Sequence, residues 1–162
     1  MKVIINELKK FSLNILDLGT SIKDNRIEKF EFNNQINLPE DFKEFMKEIN
    51  GFSLMGTEVY CFDEDKANSI EKLYEREHFQ VNFPQYPKYV PFSADGRGNF
   101  YCLDTYNLAK DKKLCPVIFW VSNYEYTIED QPELAFTTFG EWIEEVVIAW
   151  TLEDFDYSGN EK

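Results

Sequence analysis

The sequence predicts an α+β fold, with helices packed on an antiparallel sheet, on three observations. Apolar residues recur at helical spacing over residues 42–49 and again over 139–150. A glycine-bearing turn at residues 95–99 separates two β-prone segments, as in a hairpin. Residues 116–121, Pro-Val-Ile-Phe-Trp-Val, are apolar on both faces, as a central strand requires. At 162 residues the chain suits one domain. A globule of this size buries about 70% of the surface its unfolded chain exposes, so it needs no disulfide or metal to hold it together.

Taken in order, residues 1–19 are mixed and fit helix or strand. Thr20 and Ser21 can cap a helix running to Phe32, with Asp24 three residues after Ser21 and a thin apolar face of Ile22, Ile27 and Phe30. Pro39 suits the first position of the next helix, because it lacks only an N–H that would be unpaired there. Glu40 and Asp41 follow where the helix dipole favours negative charge. Phe42, Phe45, Met46 and Ile49 form one stripe, and Gly51 after Asn50 stops the helix. Residues 52–62 read as extended, ending in the β-formers Val59, Tyr60 and Phe62. Residues 66–79 read as a helix with Ile70, Leu73 and Tyr74 inward and charges elsewhere. Two prolines make residues 83–89 a loop. The hairpin pairs residues 89–93 with 100–103 around Asp95-Gly96-Arg97-Gly98-Asn99, whose glycines permit positive φ. Thr138 and Glu141 form a capping box for the last helix. Its face of Phe139, Trp142, Ile143, Val146, Val147 and Trp150 is wide enough to be buried on the sheet. Beyond Thr151 the chain reads as a frayed acidic tail.

The formal net charge is −13, with 30 acidic against 17 basic residues. Such a chain repels phosphate backbones and anionic membranes, and it attracts a basic partner. Acidity alone equally serves solubility. Cys61, Cys102 and Cys115 are odd in number and widely spaced with no CxxC, which argues against a disulfide framework and a zinc site and suits small buried hydrophobes. No signal peptide or membrane span is visible, so a cytoplasmic protein is expected.

Little in the chain points to catalysis. His78, the single histidine, stands in the charged run Glu75-Arg76-Glu77-His78 and reads as solvated. No spacing pairs it with a nucleophile such as Cys102 or Ser93. The glycines at 96 and 98 precede a strand, not a helix, so they are neither a P-loop nor a dinucleotide fingerprint. Asp95, Asn99 and Asp104 could offer oxygens to a metal. The stronger reading is a structural turn, in which Asp95 and Asn99 cap the local amides and Gly96 and Gly98 supply the bend. Adjacent acids such as Glu129-Asp130 arise by chance in a chain this acidic and face water. Tyr124 and Tyr126, flanking Glu125 on a loop or edge, suit either a protein-binding patch or one tyrosine packed inward.

These motifs resemble the SUKH superfamily, which includes a fungal cell-wall-synthesis regulator. The resemblance rests on residues 38–46 followed by Asn50-Gly51, on Phe92 to Asp104 with its Asp-Gly-x-Gly-Asn turn, on Pro116 to Trp120, and on Phe139 to Trp142. The pieces keep order and spacing across residues 20–150. Residues 1–19 stand as an N-terminal extension and 151–162 as an acidic tail of one SUKH-like domain. One departure is that Val121-Ser122-Asn123 replaces the usual carboxylate after the Phe-Trp strand.

The resemblance implies helices packed around a twisted, largely antiparallel sheet. It implies an immunity protein that binds and neutralises the cognate toxin of a polymorphic or contact-dependent inhibition system, with no catalytic residues and no cofactor. The acidity suits a basic, nucleic-acid-acting toxin. A monomer or weak homodimer is expected. The candidate partner-binding residues are Tyr124, Glu125, Tyr126, Glu129, Asp130, Glu153, Asp154 and Asp156. The alternatives are a regulatory or scaffolding protein and a small metal-dependent hydrolase using Asp95, Asn99 and Asp104.

Overall fold

Two antiparallel sheets frame the computed structural model, which describes residues 1–22 and 25–162. The smaller sheet has the order β1 (Leu16–Leu18), β2 (Phe52–Leu54), β3 (Thr57–Val59). The larger has the order β4 (Tyr89–Ala94), β5 (Phe100–Asp104), β6 (Val117–Trp120), β7 (Glu133–Phe136). The sheets meet where Tyr60, just past β3, donates its N–H to the Phe92 carbonyl at 2.9 Å. Around them pack α1 (Lys2–Leu8), α2 (Arg26–Asn34), α3 (Glu40–Glu48) and α4 (Ile70–Phe79). A last helical column runs through α5 (Phe139–Trp142), a π-helical stretch (Ile143–Ala149) and α6 (Trp150–Asp154).

The core sits on both sides of the large sheet. Val90, Phe92, Leu103 and Val117 face α3 and α5, where Phe42, Phe45, Phe139 and Trp142 join them. Edge-to-face rings dominate there: Phe42–Phe139 centroids lie 4.8 Å apart and Phe92–Trp142 4.9 Å. The opposite face carries Cys102, Ile118 and Trp120 against Leu73 of α4. The apolar run on β6 is therefore covered on both faces, which is why it does not alternate.

The α3 stripe is buried throughout. Pro39 stands just before the helix in extended backbone, not at its first turn. Asp41 does occupy that turn, but burial raises its carboxyl to about 6, so desolvation outweighs the dipole there. The helix placed at residues 20–32 begins only at Arg26 and continues to Asn34, where left-handed Gln35 ends it. The capping role given to Asp24 lies outside the described residues. In α4, Ser69 caps the start by accepting the Lys72 N–H at 3.3 Å.

Three readings are corrected. His78 is buried, not solvated. Its ring stacks on Tyr74 at 3.8 Å, and its two nitrogens lie 2.8 and 3.1 Å from the carbonyl oxygens of Tyr74 and Tyr86. It thereby pins the 83–89 loop to α4, and burial lowers its pKa. The C-terminal segment is not frayed. Ser12 donates its N–H to the Tyr157 carbonyl at 2.7 Å, the Tyr157 hydroxyl bonds Glu7, and the Phe11 and Tyr157 rings lie 4.9 Å apart. Trp150 is not on the buried face: it is 57% exposed, while Ile148 and Thr151 turn inward. The cause is the π-helical stretch, whose wider i→i+5 turns rotate the residues beyond it relative to an α-helix.

Candidate partner-binding surface

The Asp95 turn is built as the sequence suggests. Asp95 Oδ1 accepts from the N–H groups of Arg97 and Asn99 at 2.7 and 3.0 Å, and Oδ2 accepts from Asn99 Nδ2 at 2.7 Å. Gly96 and Gly98 have φ of 76° and 96°, which any Cβ would strain. Burial pushes the Asp95 carboxyl up, but these hydrogen bonds outweigh it and hold it below the usual range. Asp104 stands at the opposite end of β5, where it accepts from Tyr106 N–H and Asn107 Nδ2. The three oxygens grouped for a metal therefore do not converge. Among the described residues no three His, Cys, Asp or Glu side chains gather to hold an ion.

The same loop recurs at the C-terminus. Asp156 accepts from Ser158 and Asn160 N–H groups at 2.8 and 2.9 Å and from Asn160 Nδ2 at 2.9 Å, with Gly159 at φ 85°. The Asn160 amide holds its carboxyl below the usual range. Its hydrogen bonds make Asp156 a structural residue of the Asp95 kind.

Asn99 links the turn to the Tyr124 region. Its Oδ1 accepts the Ser122 N–H at 3.0 Å, fixing the start of the β6–β7 loop beside the turn. This contact falls in the Val121-Ser122-Asn123 segment that follows β6. Tyr126 tucks in: its ring lies 4.5 Å from Trp120, and its hydroxyl accepts the Val121 N–H at 3.0 Å. Tyr124 stays outside, 45% exposed, and its hydroxyl donates to Asp130. That bond raises the Tyr124 pKa. Tyr124, Tyr126 and Asp130 line a shallow pocket of about 210 Å³ together with Phe119 and Glu133. Glu125, Glu129 and the almost bare Ile128 are exposed on the same loop, outside the pocket lining.

Phe119 joins this pocket to a second, of about 430 Å³, bounded by Ser93, the Asp95 turn, Tyr101 and Trp150. Glu153 and Asp154 come three and four residues after Trp150 on α6 and so share its face. The structure thus brings Tyr124, Tyr126 and Asp130 into one strip with Phe119 and Trp150; Glu153 and Asp154 follow Trp150 on α6, Glu125 and Glu129 stand exposed on the loop, and Asp156 is held in its own turn. Sequence reasoning missed Phe119, Tyr101 and Trp150, because each sits in a pattern that reads as core. A larger pocket, about 500 Å³, lies at the small sheet beside Asn50 and Cys61. Burial raises the Cys61 thiol, and this pocket holds none of the strip's aromatic side chains.

Charge is uneven along the chain. Residues 114–161 hold eleven acidic residues and no Lys or Arg, whereas residues 1–113 hold nineteen acidic and sixteen basic. The ion pairs among the described residues all fall within the first 113 residues. Among the described residues no C-terminal carboxylate forms an ion pair.

Comparison with known proteins agrees with this architecture. The family model SUKH_5, described as SMI1-KNR4 cell-wall, matches residues 1–148. The match takes in residues 1–19, consistent with the buried positions of Ile5, Leu8, Phe11 and Leu16. No curated relative matches the chain. A crystal structure of a protein from Pseudomonas syringae pv. tomato shares the fold with a TM-score of 0.62 at 15% identity, covering 90% of this chain and 97% of that one.

Proposed function

Because the chain belongs to the SUKH_5 family, described as SMI1-KNR4 cell-wall, we propose that it is an immunity protein that binds a basic toxin and blocks it. The observation that carries this reading is the pocket of Phe119, Tyr124 and Tyr126, set in a segment of eleven acids with no basic residue among them. Aromatic anchors ringed by polar groups are what protein interfaces use, and a one-signed surface speeds capture of an opposite charge. A nuclease or other nucleic-acid-acting toxin supplies that opposite charge, since it must itself attract phosphates. The protein acts by occlusion, not by chemistry.

The test is a co-expression rescue. The toxin domain encoded beside this chain is induced with and without it, and growth is followed. Rescue with a complex recovered on pull-down is expected. Failure to rescue, with the protein folded and abundant, sinks the reading. It would favour a regulatory or scaffolding protein, to which the family's cell-wall description points.

A further inference from the structure

Resting on that partner-binding reading, we propose that the pocket between the Asp95 turn and Trp150 is an anchor site for one arginine side chain of the partner protein. Its floor is built, not incidental. The bulge at Phe92 lets Ser93 pair with Tyr101 across β4 and β5, placing the two side chains on one face. Ser93 is fully buried, and its hydroxyl has no hydrogen-bond partner. Such a group is stabilised by an incoming donor. The walls are aromatic: Tyr101 and Phe119 lie 5.1 Å apart, and Trp150, turned outward by the π-helical stretch, forms the lip.

Charge selects the occupant. Burial raises the Tyr101 pKa, and the nearby carboxylates of Asp95 and Glu133 raise it further, so negative potential reaches the pocket. Arg97 on the rim lies close enough to Asp95 to offset its charge. Glu133, close enough to Tyr101 to act on it, is the acid that Arg97 does not offset. An acidic side chain is repelled here, and an apolar one leaves Ser93 unpaired. A guanidinium stacks on aromatic faces while its in-plane N–H groups donate to Ser93 and Tyr101, which a lysine ammonium cannot do together. The volume, about 430 Å³, is within the range of sites that enclose small ligands.

The test needs no toxin. The isotopically labelled full chain is titrated with the capped peptide Gly-Arg-Gly, with its lysine counterpart, and with a citrulline counterpart that keeps the shape without the charge. Saturable shifts at Ser93, Arg97 and the Trp150 indole are expected from the arginine peptide alone. Trp150→Ala and Tyr101→Phe should each weaken that binding at least about fivefold. The first removes an exposed side chain and the second keeps the core ring, so both fold, as a melting curve will show. Equal shifts from the arginine and lysine peptides, scattered over surface carboxylates and unaltered by Trp150→Ala, would overturn the proposal. Full growth rescue by Trp150→Ala would also overturn the anchor role while leaving the immunity reading intact. Failure of the wild-type chain to rescue, with arginine binding preserved, would remove the toxin as partner and leave the pocket's chemistry standing.

Discussion

At the scale of single residues, Asp41 shows one force overruling another. It occupies the first turn of α3, where the helix dipole should hold a carboxyl low, yet burial raises it to about 6 from an ordinary 3.8. A folded-state pKa above the unfolded value means that the native state binds the proton more tightly. Its contribution to stability is therefore fully present below about pH 4 and lost as pH rises through about 6. Asp41→Asn keeps the acceptor for the Phe42 N–H, which Oδ1 receives at 2.7 Å, and removes the buried charge. The variant should gain up to about 3 kcal/mol at pH 7.5, with the difference closing near pH 4. Thermal melts at the two pH values decide it; a constant offset between the proteins would exclude the titration as its cause. The sequence signalled a charge at this helix start but not its burial, which depends on where α3 docks. His78 was illegible for the same reason. Its charged neighbours suggest solvent, and only the approach of the Tyr86 carbonyl shows what its second nitrogen meets.

At the scale of elements, legibility tracks the length and period of the pattern. The α3 stripe, the hairpin and β6 were readable because apolar spacing, glycines or an unbroken run marked them. β1 and β7 were not, being strands of three and four residues with too little pattern to separate from loop. The last helix was readable in place but not in phase. The α period puts Trp150 inside, and the π-helical stretch puts it on the pocket lip. The C-terminus was misread because composition alone suggests a solvated tail, whereas the second Asp-x-x-Gly-Asn loop folds it back against α1. A chain truncated after Asp154 should accordingly lose the Phe11–Tyr157 contact and about 1–3 kcal/mol of stability, lowering the melting temperature by roughly 3–10 °C. An unchanged melting temperature would mean that the segment contributes nothing to the fold.

At the scale of the whole molecule, the sum of charge hides its arrangement. A net charge of −13 spread evenly would serve solubility, but ten of those thirteen charges stand in the last third of the chain, where Lys162 is the single basic residue. Concentrating one sign costs self-repulsion, which is offset only when an opposite charge docks. The consequence is kinetic. Association with a basic partner should be fast at low salt and slow steeply as salt rises, since exposed charges are screened over about 10 Å at 0.1 M. Glu125→Lys with Glu129→Lys leaves the Tyr124–Asp130 bond intact and reverses two exposed acids on the loop. The double variant should lower the association rate about tenfold or more at low salt, flatten its salt dependence, and leave the dissociation rate nearly unchanged. Stopped-flow or surface-based kinetics across a salt series measures all three. The same reversal made at Glu28 and Glu48 on the mixed-charge N-terminal part, where each acid already pairs with a lysine, should have a much smaller effect on the rate. If both pairs of reversals slowed association equally, net charge alone would govern capture and the strip would hold no special place. If only the loop pair did so, the strip would be where the partner first meets this protein.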